Sequence, residues 1–152
     1  MTRNDLSTFD RIAAPYDRGM APLEKLWLRE MRGKLLPIAE GRVLEIGVGT
    51  GANLPFYSRS VRLTAMDESA EMLAVATQRA SHLDHHVHWS QTDAEHLAFP
   101  EATFDTVVAS LVLCSVLDQK RTLEEFWRVL HKPKGQLLLL EHMRPRGTAL
   151  AL

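Results

Sequence analysis

The stretch Val43–Asn53, with the sequence VLEIGVGTGAN, carries the strongest structural signal in this chain. The short apolar run Arg42–Ile46 stops at Gly47, which is typical of a buried strand in a parallel sheet. Three glycines within five residues permit positive φ angles in a tight turn and let backbone N–H groups approach a ligand without a Cβ in the way. The sequence therefore predicts a strand, a glycine turn and the opening of a helix.

Acidic residues follow the next two predicted strands. Asp67 lies twenty residues after Gly47, at the end of the run Val61–Met66, and Asp93 follows the weaker run His86–Ser90. Because ligands of open parallel sheets bind at the carboxyl ends of the strands, Asp67 is placed to accept hydrogen bonds from ribose hydroxyls. A side chain near Asp93 would reach an adenine edge. The alternative is a structural turn beside ordinary solvated carboxylates.

Strands and helices alternate along most of the chain, and Ser69 is a natural N-cap for one of the helices. The alternation predicts an α/β fold, a Rossmann-like doubly wound parallel sheet of about five strands with right-handed crossovers and N-terminal helices. The remaining predicted elements are the strands Phe104–Leu113 and Gln136–Glu141 and the helices Asp5–Tyr16, Pro22–Leu36 and Leu123–Leu130.

Composition restricts the class of protein. The 152 residues are 45% hydrophobic and 24% charged, which is ordinary for one globular domain. A net charge of −1 offers no general attraction for nucleic acid, and the longest apolar run, Val107–Leu117, is shorter than the roughly 18 residues of a membrane span. Polar and acidic residues at Met1–Asp10 do not resemble a signal peptide, and Cys114 is the single cysteine. We expect a cytoplasmic protein without a transmembrane segment or a nucleic-acid partner.

The glycine turn and the segments after it resemble the motifs of the class I S-adenosylmethionine-dependent methyltransferases. Val43–Gly51 is similar to the first motif of that family, Met66–Leu73 to its ribose segment, Thr92–Pro100 to its adenine segment and Trp127–Gly135 to its R-V-L-K-P-G-G segment. Phe9–Asp17 looks like the N-terminal lid of the quinone C-methyltransferase branch, whereas Leu111–Val116 and Glu141–Pro145 look closer to thiol and phospholipid methyltransferase-like proteins.

The resemblance implies S-adenosylmethionine as cofactor, S-adenosylhomocysteine as product, and a helical lid at residues 1–40 on a core at residues 41–152. It places the glycines at the methionine part of the cofactor, Asp67 at the ribose, Asp93, Ala94 and Met72 at the adenine, and Tyr16 as a cover. The residues expected to bind the cofactor are Tyr16, Glu45, Gly47, Gly49, Thr50, Gly51, Asn53, Asp67, Glu68, Met72, Asp93, Ala94, Glu95 and Leu111.

Two other functions share these residues. Gly47, Gly49 and Ala52 also fit the dinucleotide spacing, so the glycines alone do not exclude an NAD-dependent oxidoreductase. S-adenosylmethionine carries an ammonium and a sulfonium, and a carboxylate such as Glu45 attracts these cations but would repel the pyrophosphate of a dinucleotide. The chain also ends before the second nucleotide-binding half that a full dinucleotide site is expected to need. The main alternative is a degenerate module that binds S-adenosylmethionine without turnover.

The methyl acceptor should meet the cofactor near the end of the fourth strand, where Leu111, Cys114 and Ser115 lie. This apolar lining indicates a small or lipid-like acceptor such as a thiol, an amine or phospholipid, or a quinol. We expect Cys114 to be a buried small residue, as free cysteines commonly are. His142 is a weak candidate for a base, with an ordinary surface histidine as the alternative.

Two further expectations concern a histidine cluster and the end of the chain. His82, His85, His86 and His88 lack the cysteine or acidic partners of a closed metal site, so a solvated loop and no metal are expected. Eleven residues after Glu141 are too few for the usual C-terminal β-hairpin and its crossover. The fifth strand would then be an uncovered apolar edge, and a homodimer through that edge is predicted.

Overall fold

The computed structural model describes residues 6–23 and 27–141 and contains one sheet of five parallel strands. The strand order is β3-β2-β1-β4-β5, and all four neighbouring pairs are parallel. The predicted doubly wound α/β fold is confirmed. The strands are β1 Arg42–Ile46, β2 Arg62–Asp67, β3 Val87–Gln91, β4 Thr106–Ser110 and β5 Gln136–Leu140.

The order of the strands locates a crevice at the carboxyl ends of β1 and β4. The chain builds outward from β1 through β2 to β3, and then returns to the other side of β1 with β4. The loops that leave β1 and β4 therefore diverge to opposite sides, which opens a space above the sheet. This switch point is where a ligand of such a sheet binds.

Two α-helices cover the crossovers, and each begins at a side-chain cap. The Ser69 hydroxyl accepts a hydrogen bond from the N–H of Met72 at 3.1 Å, which confirms the predicted N-cap of α3 (Ala70–Ala80). Asp118 caps α4 (Gln119–Val129) by accepting from the N–H of Arg121 at 3.0 Å. The predicted start of α4 at Leu123 was four residues late because the Asp118 cap was not recognised.

Two predictions about the chain that follows β1 and β4 were wrong. The glycine turn does not open an α-helix, since residues 47–53 form turns and only a single 3₁₀ turn, Leu54–Phe56, follows. Pro55 disfavours helical backbone at the residue before it, which explains the interruption. The fourth strand ends at Ser110 rather than Leu113, because Leu111 has a φ of 59° and leaves the sheet.

The N-terminal helices are arranged differently from the prediction. α1 spans Leu6–Leu23, with Pro15 and Pro22 inside it, and packs against α3. α2 covers Arg29–Leu35 and leads into a 3₁₀ turn. The predicted end of the first helix at Tyr16 was wrong, because tertiary contacts of α1 extend its helical backbone past that residue.

A hydrophobic core lies on each face of the sheet, because successive strand residues point to opposite sides. Leu138 is buried on one face, whereas Leu137 and Leu139 on the other face are 36% and 39% exposed. The first core includes Leu36, Val43, Leu54, Leu63, Ala76 and Val108, and the second includes Leu44, Ile46, Met66, Val107, Phe126 and Val129.

Within the described residues, β5 forms one edge of the sheet. Residues 142–152 lie outside the described part. They include His142 and the segment on which the expectation of a missing C-terminal hairpin depends. In the ranges that are described, no helix combines the length and the apolar character that a membrane span requires.

Candidate functional site

A cavity of about 410 Å³ opens at the carboxyl ends of the strands, which is within the range of small-molecule sites. A smaller cavity of about 50 Å³ shares five of its lining residues and extends beside β1 toward α2. The larger one is lined by segments that follow four different strands, together with Tyr16 from α1. The expected site residues that line it are Tyr16, Gly47, Gly49, Asp67, Glu68, Met72, Asp93, Ala94, Glu95 and Leu111.

The three glycines of the turn have positive φ angles but different surroundings. A Cβ at Gly49 (φ 54°) would meet no described atom within 4 Å, so this backbone faces open space. A Cβ at Gly47 would lie 2.6 Å from Val112 Cγ2, across the crevice. A Cβ at Gly51 would meet Leu54 and the backbone of Ala76, and Gly51 lines neither cavity. Gly51 therefore permits close packing of the turn against α3.

Asp67, the last residue of β2, holds the glycine turn in place. Its Oδ2 accepts a hydrogen bond from the Gly49 N–H at 2.8 Å, and its Oδ1 accepts from the Ser69 N–H at 3.0 Å. Each carboxylate oxygen has a second lone pair, and the side chain also lines the larger cavity. The open backbone at Gly49 beside an acceptor carboxylate fits the nucleoside part of the cofactor that the sequence motifs imply.

The acids after β3 are engaged with the protein itself. Asp93 accepts from the Glu95 N–H at 2.7 Å through Oδ1, and its Oδ2 lies 3.1 Å from Nδ1 of His96. Glu95 Oε1 accepts from the N–H groups of Leu117 and Asp118 at 2.7 and 3.0 Å. The carboxylate of Glu95 thus links the segment after β3 to the loop after β4, a role that its sequence position did not indicate.

Tyr16 and Met72 supply bulk at the larger cavity. Met72 is only 2% exposed although it lines the space. Tyr16 lines both cavities, and burial, together with the nearby Cys114, raises the pKa of its hydroxyl. Its hydroxyl is therefore neutral across the physiological pH range. Glu68 is exposed at the cavity wall.

Glu45 is buried in a polar network beside the smaller cavity. Burial raises its pKa from 4.5 to about 7, and its Oε1 accepts from the Asn53 amide at 2.9 Å. Among the described residues, neither Glu45 Oε2 nor the Tyr57 hydroxyl has a partner that meets the geometry of a hydrogen bond. The two groups still influence each other, since Tyr57 lowers the pKa of Glu45 and Glu45 raises the pKa of Tyr57. Asn53 also accepts from Nε of Arg32 at 2.6 Å, and sequence reasoning missed the buried Arg32.

Thr50 connects the glycine turn to α1. Its hydroxyl donates to Oδ1 of Asp17 at 2.6 Å, and Arg79 of α3 donates to the other oxygen of the same carboxylate. Asp17 therefore joins α1 to the turn and to α3. These contacts are the tertiary reason that α1 lies beside the two cavities.

The segment 111–118, here called the β4–α4 loop, forms another wall of the larger cavity. Glu141 Oε1 accepts from the N–H groups of Val112 and Leu113 at 2.8 and 3.0 Å. Cys114 is exposed, so its predicted burial was wrong, because the left-handed backbone at Leu111 turns the loop away from the core. Partial burial and Glu141 raise the pKa of the Cys114 thiol, which disfavours the nucleophilic thiolate.

Several lining residues were not predicted. Ser110, Val112, Val116 and Leu117 line the larger cavity, and Glu141 supports its wall from outside. Glu141 directly follows β5, so the same strand-end rule that selected Asp67 could have selected it. In the part of the chain that the structure describes, no three histidine, cysteine or acidic side chains converge as they would around a metal ion.

A parallel sheet with a glycine turn and an acidic residue together at its switch point is the architecture of the Rossmann-like proteins that hold a nucleoside cofactor. A family profile described as a methyltransferase domain matches residues 44–139. The chain belongs to this family, the class I S-adenosylmethionine-dependent methyltransferases, as the sequence motifs predicted.

Individual proteins to which the chain is similar are also named as methyltransferases. A phosphatidylethanolamine N-methyltransferase from Cereibacter sphaeroides is 42% identical over 74% of this chain and 56% of its own length. A demethylmenaquinone methyltransferase from Clavibacter sepedonicus is 32% identical over 95% of this chain and 64% of its own length. The crystal structure of the N-methyltransferase NodS from Bradyrhizobium japonicum with S-adenosyl-L-homocysteine has a TM-score of 0.75 at 25% identity, covering 90% of this chain and 72% of NodS. The chain thus spans less than two thirds of these two curated relatives.

Proposed function

We propose that this chain binds S-adenosylmethionine in the larger cavity and transfers its methyl group to a small, apolar or lipid-like acceptor. The observation that carries the proposal is the glycine turn, whose open Gly49 backbone lies against the carboxylate of Asp67. A cradle without side chains beside a hydrogen-bond acceptor suits an adenosyl group. The bound cofactor would supply a methyl group on a positively charged sulfur.

The cavity surroundings support a role for each part of the site. Asp67 would accept from ribose hydroxyls, and Asp93, Ala94 and Met72 would surround the adenine. Gly47, Gly49 and the smaller cavity with Glu45, Thr50 and Asn53 would receive the amino-acid end. Gly51 is left out of this assignment because it packs against α3.

The acceptor would enter beside the β4–α4 loop. Leu111, Val112, Val116 and Leu117 give that wall an apolar surface, which favours a quinol, a thiol or a lipid over a charged acceptor. Methyl transfer is a direct displacement, so the chain mainly has to align the attacking atom with the methyl group and exclude water. Tyr16 from α1 would cover the reactants, which supports a lid role for residues 1–40 on the core of residues 41–152.

Calorimetry and product analysis on the wild-type protein test this function. Titration with S-adenosylhomocysteine should show saturable binding, and NAD should show none. S-adenosylmethionine should yield S-adenosylhomocysteine with at least one of thiophenol, a naphthohydroquinone and phosphatidylethanolamine in detergent micelles. Binding without product would favour the non-catalytic module, whereas binding of NAD alone would favour an oxidoreductase.

We also propose a homodimer through β5, the edge strand of the described part of the sheet, in a cytoplasmic protein. Leu137 and Leu139 are large apolar residues exposed on this edge strand, which supports a covering partner. The single cysteine, Cys114, suits a reducing compartment. Light scattering on a sizing column should give twice the monomer mass, and Leu139→Lys should give the monomer. A monomeric wild type at micromolar concentration would contradict the dimer.

A further inference from the structure

The β4–α4 loop has little regular structure of its own. Five of its eight residues line the larger cavity: Leu111, Val112, Ser115, Val116 and Leu117. Inside the loop, the Ser115 N–H donates to the Val112 carbonyl at 2.9 Å, which forms a single turn. The shape of this wall therefore depends on groups that reach it from other elements.

Two carboxylate oxygens hold the two ends of the loop. Glu141 Oε1 accepts the N–H groups of Val112 and Leu113, and Glu95 Oε1 accepts those of Leu117 and Asp118. All four distances lie between 2.7 and 3.0 Å. Hydrogen bonds to ionised acceptors are stronger than neutral ones, so these four contacts are well suited to hold a loop.

The carboxylates come from opposite sides of the crevice. Glu141 follows β5, which is next to β4, whereas Glu95 follows β3, which β2 and β1 separate from β4. The contacts of Glu95 therefore bridge the segment after β3 and the loop after β4 across the switch point. Glu141 acts at the root of the loop, where the Leu111 N–H also donates to the Leu140 carbonyl at 2.8 Å.

The backbone at Leu111 shows that the root of the loop is held under constraint. Its φ of 59° is in the left-handed region, which a leucine adopts only when the surroundings impose it. The Leu140 carbonyl accepts from the N–H of Leu111 itself and the Glu141 carboxylate accepts from the next two residues, so contacts from the end of β5 surround this position.

We propose that Glu141 and Glu95 are positioning residues that hold the β4–α4 loop as the acceptor-binding wall. This inference rests on the proposed methyl transfer. Glu141 acts through the loop backbone and does not line the cavity, so its removal should weaken acceptor binding and leave cofactor binding intact. Glu95 lines the cavity as well, so Glu141 is the cleaner position for a test.

The experiment compares Glu141→Ala with Glu141→Gln, using the acceptor probe that gives product with the wild type. Since one oxygen accepts both N–H groups, the carbonyl of glutamine can keep both contacts, whereas alanine keeps neither. Glu141→Ala should raise the acceptor KM about tenfold or more, because both contacts to an ionised acceptor are lost. Glu141→Gln should stay within about threefold of the wild type, because neutral contacts are weaker but retained. The Kd for S-adenosylhomocysteine should be unchanged in both variants.

Asp105→Ala is the matched control. Asp105 also accepts a backbone N–H, that of Arg42 at 2.8 Å, but it lies at the amino end of β4 on the opposite rim. Its removal should lower thermal stability without changing the acceptor KM. Amide hydrogen exchange supplies a readout besides activity, since Val112 and Leu113 should exchange faster in Glu141→Ala and not in Asp105→Ala.

The outcomes separate this inference from the proposed function. A wild type that gives no S-adenosylhomocysteine with any probe overturns the proposed function, and the acceptor role of the loop falls with it. A wild type that gives product, together with an unchanged acceptor KM in Glu141→Ala, overturns the inference alone. Unchanged exchange at Val112 and Leu113, or equal losses in the alanine and glutamine variants, also overturns it.

Discussion

The two sides of the crevice are built in different ways. On one side, the glycine turn after β1 takes its shape from its own residues, with positive φ at Gly47, Gly49 and Gly51 and one carboxylate, Asp67. On the other side, the β4–α4 loop has Leu111 in the left-handed region and is held by carboxylates from distant segments. Glycines within the turn permit the backbone angles of the first side, and tertiary contacts anchor it, whereas the second side has no glycine and depends on the assembled sheet for its shape.

This difference suits the two ligands of a methyltransferase. A cofactor that a whole family shares can be bound by a turn whose backbone conformation requires glycine. An acceptor that differs among relatives is better bound by a loop whose shape depends on a few side chains that substitution can change. Perturbing each side separately therefore tests whether cofactor binding and acceptor binding are independent.

The largest expected effect concerns Glu45, which is buried behind the glycine turn. Its pKa in the folded protein is raised from 4.5 to about 7, so between these pH values the folded state binds more protons than the unfolded state. Stability should therefore be greatest at the low end of this window and fall by up to about 3 kcal/mol as pH rises through 7. Chemical denaturation from pH 5 to 8 measures this slope.

Glu45→Gln should flatten that pH dependence, because the amide does not titrate and still accepts from Asn53. The variant should be at least as stable as the wild type at pH 8. An unchanged slope in Glu45→Gln would show that a group other than Glu45 causes the pH dependence of stability. The buried carboxyl behind the glycine turn would then not distinguish this side of the crevice from the other.

The next largest effect separates the two carboxylates that organise the two sides. Asp67→Ala should weaken binding of S-adenosylhomocysteine by about 2 kcal/mol or more, because ribose hydroxyls and the Gly49 N–H lose their acceptor. Glu141→Ala should leave that affinity unchanged. Calorimetry on both variants measures these affinities. Equal losses of affinity for S-adenosylhomocysteine would mean that the glycine turn and the β4–α4 loop do not act independently.

A smaller effect is expected within the glycine turn. Gly49→Ala should weaken binding of S-adenosylhomocysteine by about 1 kcal/mol, since its Cβ enters the open cradle. Both Gly49→Ala and Gly51→Ala should lower the free energy of unfolding, because each places a Cβ at positive φ, and Gly51→Ala should lower it more, because its Cβ would lie 2.7 Å from Leu54 and 3.3 Å from Ala76. Calorimetry and denaturation on each variant should show an affinity loss only in Gly49→Ala, and equal affinity losses in the two variants would refute it.

The smallest effect compares Ala102 and Leu111, the two non-glycine residues with left-handed backbone in the described part of the chain. Ala102→Gly, in an exposed turn away from the crevice, should raise the free energy of unfolding by about 0.5 kcal/mol by relieving strain. Leu111→Gly should give no gain, because it also removes a side chain that lines the cavity. Denaturation of both variants measures the contrast, and a larger gain at Leu111 would show that its side chain contributes nothing.

Sequence reasoning found the glycine side more completely than the loop side. Gly47, Gly49 and Asp67 all border the larger cavity, since strand ends and glycine spacing are local signals. Glu95 was selected for the cofactor and lines the larger cavity, but sequence reasoning missed that its carboxylate also accepts from the β4–α4 loop. Cys114 was assigned to the core because free cysteines are commonly buried, but it is exposed on a loop that follows the left-handed backbone at Leu111, which no local pattern indicated.

By itself the amino-acid sequence determined the order of strands and helices, the glycine turn, and the acid twenty residues after it, because hydrophobic runs, glycine freedom and capping act over a few residues. Only the tertiary structure decided that Arg32 and Asn53 join Glu45, that Asp17 binds Thr50 and Arg79, and that Glu95 and Glu141 meet one loop from two sides. Such contacts join residues far apart in the chain, and their geometry exists only once the sheet has placed its strand ends side by side.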